Sequence, residues 1–202
     1  FRSPTVKAMI DDIQAKYKAE SSKVAIDNSP VKLSGDRMDV RVRETNLGNA
    51  VADALLDYGQ SDFTHKSNLA VTNGGGLRET IAKDKPITKG DIIAVLPFGN
   101  SVAQIQVTGQ NIYDMFVKSL GSILQVNESG KNVFDENGQP LLEPSGGFLQ
   151  VAGARVYYDT TLPTEKRILS IDILDPETGV YKPLNTTETY YLVTNDFLAC
   201  WW

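Results

Sequence analysis

The sequence predicts an α+β domain, and three observations carry that expectation. Helical and strand periodicities occur along one chain without a regular β-α-β alternation. The strand patterns are short and numerous. In the second half they come in pairs joined by turn residues, the mark of antiparallel hairpins. A length of 202 residues suits one large core better than two small ones. The 41% hydrophobic and 22% charged content is ordinary for a globular chain, and no fixed-period repeat shows.

Taken in order, Ser3 and Pro4 open a first helix as N-cap and first-turn proline. Val6, Met9, Ile10, Ile13 and Tyr17 give it one apolar face, expected to pack on the body of the domain, with Lys16 and Lys18 complementing the dipole of its last turn. Residues 23–33 read as a strand with a turn at Asn28-Ser29-Pro30. A second helix is expected from residue 45 or 46 to residue 58, burying Leu47, Val51, Ala54, Leu55 and Tyr58. A short strand at 69–72 runs into Asn73-Gly74-Gly75-Gly76, and Thr88-Lys89-Gly90-Asp91 reads as a turn or a short helical start before an apolar run to Phe98. Residues 102–107 alternate as a half-buried strand, and 109–120 form a helix with Ile112, Met115, Phe116 and Leu120 on one side. Residues 127–146, polar and with an Asn137-Gly138 turn, read as a surface excursion. After it come one strand over 148–158, a hairpin of 168–174 and 180–184, and a last strand over 190–194 leading into Asn195-Asp196-Phe197.

The net charge of −5 argues against broad binding of nucleic acid or an anionic membrane surface, which needs a basic face. It leaves a small anionic ligand open, because a few arginines in a cleft set the local field. No apolar run approaches the 18 residues of a membrane-spanning helix, so no membrane insertion is expected. The first 30 residues lack the apolar stretch of a signal peptide, and a start at Phe1 rather than Met suggests a mature product or an excised fragment. One cysteine, Cys200, excludes an intrachain disulfide, and one histidine, His65, excludes a metal site built on several imidazoles. His65 reads as an exposed loop residue, and Cys200 as an incidental thiol rather than a nucleophile.

Three features stand out as binding chemistry. In Asn73-Gly74-Gly75-Gly76-Leu77-Arg78 a strand meets three glycines and then an arginine where a helix could begin. Glycines can adopt positive φ and let backbone N–H groups cradle an anion, and Arg78 offers a forked donor suited to phosphate. The plainer reading is a tight connection; the lysine and hydroxyl of a P-loop are absent. Arg41 and Arg43 would point the same way if their segment is extended, and could neutralise a phosphate or pair with Asp36, Asp39 or Glu44. Phe98 and Phe197 each sit at a strand end beside turn residues, where they could stack a planar ligand or plug the core.

The segments 41–49, 73–78, 96–100 (Leu-Pro-Phe-Gly-Asn), 146–153 (Gly-Gly-Phe-Leu-Gln-Val-Ala-Gly) and 194–199 (Thr-Asn-Asp-Phe-Leu-Ala) occur in that order. Together they closely resemble the C-terminal domain of the 5′-nucleotidase family, over roughly residues 20–199. That family includes UDP-sugar hydrolases and cyclic-nucleotide phosphodiesterase/3′-nucleotidases. The resemblance implies a mixed, layered α+β domain that binds the nucleoside and part of the phosphate. An N-terminal metallophosphoesterase domain, with two divalent metal ions, would lie before this chain, and residues 1–19 look like the helix linking the two. It further implies Arg41 as phosphate ligand with Arg43 as a second, Arg78 as the next phosphate arginine, Asn73 and Gly75 beside the base, and Phe98 and Phe197 as the base's two walls. No catalytic residue, cofactor or metal ligand is then expected in this chain. The relevant partner is a nucleotide or nucleoside, not a nucleic acid, and the setting is extracellular, cell-surface or periplasmic. The pattern departs at Cys200-Trp201-Trp202, where the family continues to an aspartate that holds the ribose. Two other readings stand beside this one: a non-catalytic nucleotide-binding or surface module, and a related enzyme of sulfur compounds, disfavoured because both phenylalanines are present.

Overall fold

A computed structural model describes residues 3–200, so the outer limits of the expected segments 1–19 and 20–202, and the Trp201-Trp202 ending, lie outside the described residues. The core is a four-stranded mixed sheet in the order β4-β9-β2-β5, built from β2 (Leu69–Asn73), β4 (Val102–Thr108), β5 (Leu149–Ala152) and β9 (Thr189–Asn195). Only the central pair β2–β9 is parallel; β4 and β5 flank it antiparallel. Strand side chains alternate between faces, so Leu69 and Val71 enter one core and Ala70 the other. Both faces are covered, which is why β2 is buried along its length rather than alternately.

On one face α3 (Asn46–Ser61) packs Ala52 and Leu56 against Ala70, Ala152 and Val193. On the other, α5 (Gly109–Ser119) buries Ile112, Met115 and Phe116 with Ile171, Ile173 and Tyr190. Those last strand residues belong partly to a second antiparallel sheet of β6 (Ala154–Tyr158), β7 (Ile168–Leu174) and β8 (Tyr181–Pro183). A small antiparallel pair, β1 (Val24–Ile26) with β3 (Ile87–Thr88), sits beside α4 (Lys89–Val95), whose start is a capping box between Thr88 and Asp91. Two four-residue helices stand elsewhere: α2 (Arg37–Val40) meets the turn that follows β2, and α6 (Asp196–Ala199) meets β4 and β9 of the four-stranded sheet. The layered α+β expectation, with antiparallel hairpins prominent in the second half, holds.

Several local expectations are corrected. The helix α1 (Pro4–Ser21) forms from its Ser3-Pro4 start but runs four residues past Tyr17 and buries nothing. Val6, Met9, Ile10, Ile13 and Tyr17 are all exposed, and only its C-terminal end meets α4. An amphipathic stripe fixes a helix but not what covers it. The strand expected over 23–33 shrinks to Val24–Ile26, because Ser29 turns inward and its N–H bonds to the Lys85 carbonyl at 2.9 Å. In α3 the buried face is rotated from the expected one: Ala54 and Tyr58 are exposed, while Gly48, Ala52 and Gly59 are buried. Small residues let the helix approach the sheet most closely, a signal that counting large apolar residues misses.

The single strand expected over 148–158 is broken at Gly153, whose φ of 71° turns the chain from one sheet into the other. A Cβ there would lie 2.3 Å from the Asn68 carbonyl oxygen. Replacing Gly153 with alanine is therefore expected to destabilise the fold by about 2 kcal/mol or more, read as a fall in urea midpoint at unchanged m-value.

Candidate nucleotide site

The strand order places the site. Because β2 and β9 run parallel, Asn73 and Asn195 end at the same edge of the sheet. Antiparallel pairing sets Val102 opposite Asn195 and Leu149 opposite Asn73, so the loops preceding β4 and β5 reach that edge too. The tri-glycine segment, the Phe98 loop, the Gly146-Gly147 loop and Phe197 thus converge at one end of the sheet although they lie far apart in sequence. Such ends of parallel strands are where open α/β sheets bind ligands.

There Asn73, Gly75, Gly76, Phe98, Asn100 and Phe197 line a cleft of about 290 Å³. Phe98 and Phe197 are 58% and 52% exposed, which rules out core plugs. The Arg78 guanidinium lies 5.6 Å from the Phe98 ring centroid, within cation–π range, and donates from Nη1 to the Gly75 carbonyl at 3.4 Å. Asn73 donates from Nδ2 to the Gly146 carbonyl at 3.1 Å and accepts from Asn195 Nδ2 at 3.4 Å. Asn195 in turn caps α6 by accepting from the Leu198 N–H at 2.8 Å, fixing the short helix that carries Phe197. Each asparagine amide has more donors and acceptors than these bonds use, so Asn73 keeps one amide hydrogen and one lone pair for a ligand. Asn73 and Phe197 also line a larger, mainly apolar cleft of about 850 Å³ toward Met115 and Leu149.

The glycines work differently from the expectation. They form one 3-10 turn, Gly74–Gly76, with no positive φ, and Arg78 does not begin a helix. The Gly74 and Gly75 N–H groups are taken up by the Phe148 and Gly146 carbonyls at 2.7 and 3.0 Å, so they do not cradle an anion. What requires glycine at 74 is close approach: a Cβ there would sit 2.0 Å from the Val40 carbonyl oxygen. The tri-glycine turn is thus the seat on which the Arg41 segment rests.

That segment is not extended, so Arg41 and Arg43 do not point the same way. Arg41 is the C-cap of α2, with φ −103° and ψ 0°. Arg43 turns back onto Asp39, donating from Nη2 and Nε to Oδ1 at 2.6 and 3.1 Å, and reaches Glu136 from Nη1 at 2.9 Å. The Asp39 hydrogen bond, with both carboxylates adding to it, raises the Arg43 pKa. Burial opposes ionisation of Asp39, but hydrogen bonds from Arg43 and Ser34 outweigh it and hold its carboxyl below the usual range. A depressed carboxyl stabilises the fold above its unfolded pKa of about 3.9 and loses that contribution as pH falls through the folded value. Asp39→Asn is expected to lower stability at pH 7 by under about 1 kcal/mol, since both partners are partly exposed, with the gap closing near pH 3 in paired urea titrations.

Arg41 is the contrasting case. Its Nε is buried and hydrogen-bonds to nothing. Burial first, then the guanidiniums of Arg37 and Arg78, pull its pKa below the usual arginine value. Arginine stays charged at such shifts, so the three form a cationic cluster, and none of them pairs with a carboxylate among the described residues. Arg37, four residues before Arg41 on α2, was not singled out by the sequence; an i,i+4 arginine pair at a helix end would have shown it.

Gln150 was missed as well. It is 1% exposed, accepts from the Thr45 N–H at 3.0 Å, and donates to the Val40 and Arg43 carbonyls at 3.0 and 2.7 Å. His65 is exposed as expected and stacks on Tyr191 at 4.3 Å, and Cys200 is an exposed thiol. Among the described residues, no group of three or more His, Cys, Asp or Glu could hold a metal ion, and no helix is long and apolar enough to cross a membrane. The described residues thus offer no ligand set that fits a metal pair.

The chain belongs to the 5′-nucleotidase C-terminal domain family, whose profile matches residues 22–200. It is 32% identical over 198 residues to the trifunctional nucleotide phosphoesterase protein YfkN of Bacillus subtilis, covering 98% of this chain and 12% of that one. Against the snake venom 5′-nucleotidase of Naja atra it is 31% identical, covering 97% of this chain and 35% of the relative. The solved 5′-nucleotidase precursor of Thermus thermophilus superposes with a TM-score of 0.70 at 32% identity, covering 96% of this chain and 33% of that one. The chain thus spans about a third or less of the length of these relatives.

Proposed function

We propose that this domain holds the nucleotide for a metal-dependent phosphohydrolase of the 5′-nucleotidase type, which converts a nucleotide to a nucleoside and phosphate. The observation that supports this most is the pairing of two exposed phenylalanines in one cleft with a carboxylate-free arginine cluster beside it. Phe98 and Phe197 stack the base, and Asn73 and Gly75 face its edge. Arg41 and Arg78 neutralise the phosphate; Arg43, already paired with Asp39 and Glu136, braces the Arg41 segment. Fixing the substrate and offsetting its charge are this domain's contribution to the reaction.

The two metal ions, which would activate the attacking water, belong to an N-terminal metallophosphoesterase domain. The exposed apolar stripe of α1 suits a helix linking the two, and a location outside the cell, at its surface or in the periplasm fits the venom relative. The test is calorimetric titration of the 202-residue chain with adenosine and AMP. Both are expected to bind, AMP about tenfold or more tighter, and Arg41→Ala to erase most of that difference. No AMP turnover is expected from the chain in magnesium, manganese or zinc. Failure to bind either ligand, or clear turnover, would overturn the proposal.

A further inference from the structure

Arg41 poses a physical problem that the sheet solves. Its guanidinium is partly desolvated, carries a buried unpaired Nε, and faces like charge from Arg37 and Arg78. Left to itself, a side chain in that position would swing outward to water. It follows only one turn of helix, too short to hold its own conformation. Something must hold the peptide groups on either side of it.

We infer that Gln150 is the positioning residue that aims Arg41 at the phosphate, an assignment that rests on Arg41 being the phosphate ligand. All three hydrogen bonds of its buried amide go to the Arg41 segment: to the Val40 carbonyl before it, and to the Arg43 carbonyl and Thr45 N–H after it. The Arg41 carbonyl is held from the same side by the Ser145 N–H at 3.0 Å, and Val40 rests against Gly74. Each of these partners comes from the strand ends that form the stacking cleft. Gln150 therefore ties the cationic cluster to the aromatic walls in one rigid frame, as groups behind a ligand-binding side chain commonly do. The neighbouring helix is shaped to leave the amide room. A Cβ on Gly48 would lie 2.0 Å from Gln150 Oε1 and 2.3 Å from its Cδ.

Two variants of the 202-residue chain separate this role from simple support of the fold. Gln150→Met keeps the side-chain length and removes the hydrogen bonds. Gly48→Ala leaves Gln150 in the chain but displaces its amide, while alanine is the better helix former at that position. The reading is the ratio of AMP to adenosine affinity, taken by calorimetry on samples whose circular dichroism matches the parent. Both variants are expected to cut that ratio roughly tenfold while leaving adenosine affinity within about twofold. A general loss of structure would instead weaken both ligands together. If Gln150→Met does not fold, Gly48→Ala decides alone.

The unaltered chain and Arg41→Ala are measured alongside. If the chain prefers AMP and Arg41→Ala abolishes the preference, but Gln150→Met and Gly48→Ala keep it, the inference about Gln150 fails and the site assignment stands. If the chain shows no preference, or Arg41→Ala retains it, the phosphate assignment and this inference fall together.

Discussion

Phe98→Ala and Phe197→Ala are each expected to weaken adenosine binding by about 5- to 150-fold, equivalent to roughly 1–3 kcal/mol per stacked face. The same substitutions are expected to change the unfolding free energy by less than about 1 kcal/mol, because both rings stay more than half exposed and their removal opens no cavity. That separation is the diagnostic feature: a core aromatic would lose stability first and binding only as a consequence. Phe98 carries a second consequence, because Arg78 lies over its ring. Its loss should therefore erode AMP affinity more than adenosine affinity. Unchanged adenosine affinity in both variants would remove the stacking assignment.

Gly74→Ala is expected to have the largest effect of any single methyl group added to the site. The new Cβ would stand 2.0 Å from the Val40 carbonyl oxygen, 2.8 Å from its carbon and 3.2 Å from the Arg41 Cα. These are backbone atoms, which no rotamer change can move aside. Either β2 and its following turn retreat, or the Arg41 segment lifts from the sheet and strains its bonds to Gln150. We expect a destabilisation of about 2–3 kcal/mol, seen as a melting temperature lower by roughly 5–10 °C for a chain of this size. The preference for AMP over adenosine should be lost even in the folded fraction. Gly147→Ala is the matched control: its Cβ would meet nothing nearer than Ser145 Oγ at 3.6 Å, an ordinary contact. If the two variants behave alike, the close seat of Arg41 on the glycine turn is wrong.

What could be read from the sequence followed from local chemistry. Strand ends bounded by glycine and asparagine marked Asn73, Phe98 and Phe197 as neighbours of turns, and the structure places all three on one cleft. The helix α5 and the β7–β8 hairpin were legible because their periodicity matches how they are covered. The misreadings share a cause: tertiary contact overrode a local pattern. Residues 148–158 read as one strand, yet Gly153 divides them between two sheets. Hydropathy would point Gln150 at solvent between Leu149 and Val151, but it is the buried member of the three, because peptide groups of the Arg41 segment await it on the α3 side. Arg41 and Arg43 were read from strand alternation, whereas a four-residue helix capped by Asp36 turns the chain and sends them to different partners. The apolar spacing of α1 marked the helix, but not its burial: none of its residues is buried.

The most direct test of the central claim is a crystal structure of this chain soaked with AMP. The adenine ring is expected between Phe98 and Phe197, its edge toward Asn73, and the phosphate within hydrogen-bond distance of Arg41. Density for AMP in the larger cleft against Met115 and Leu149, with Arg41 and both phenylalanines uncontacted, would contradict it.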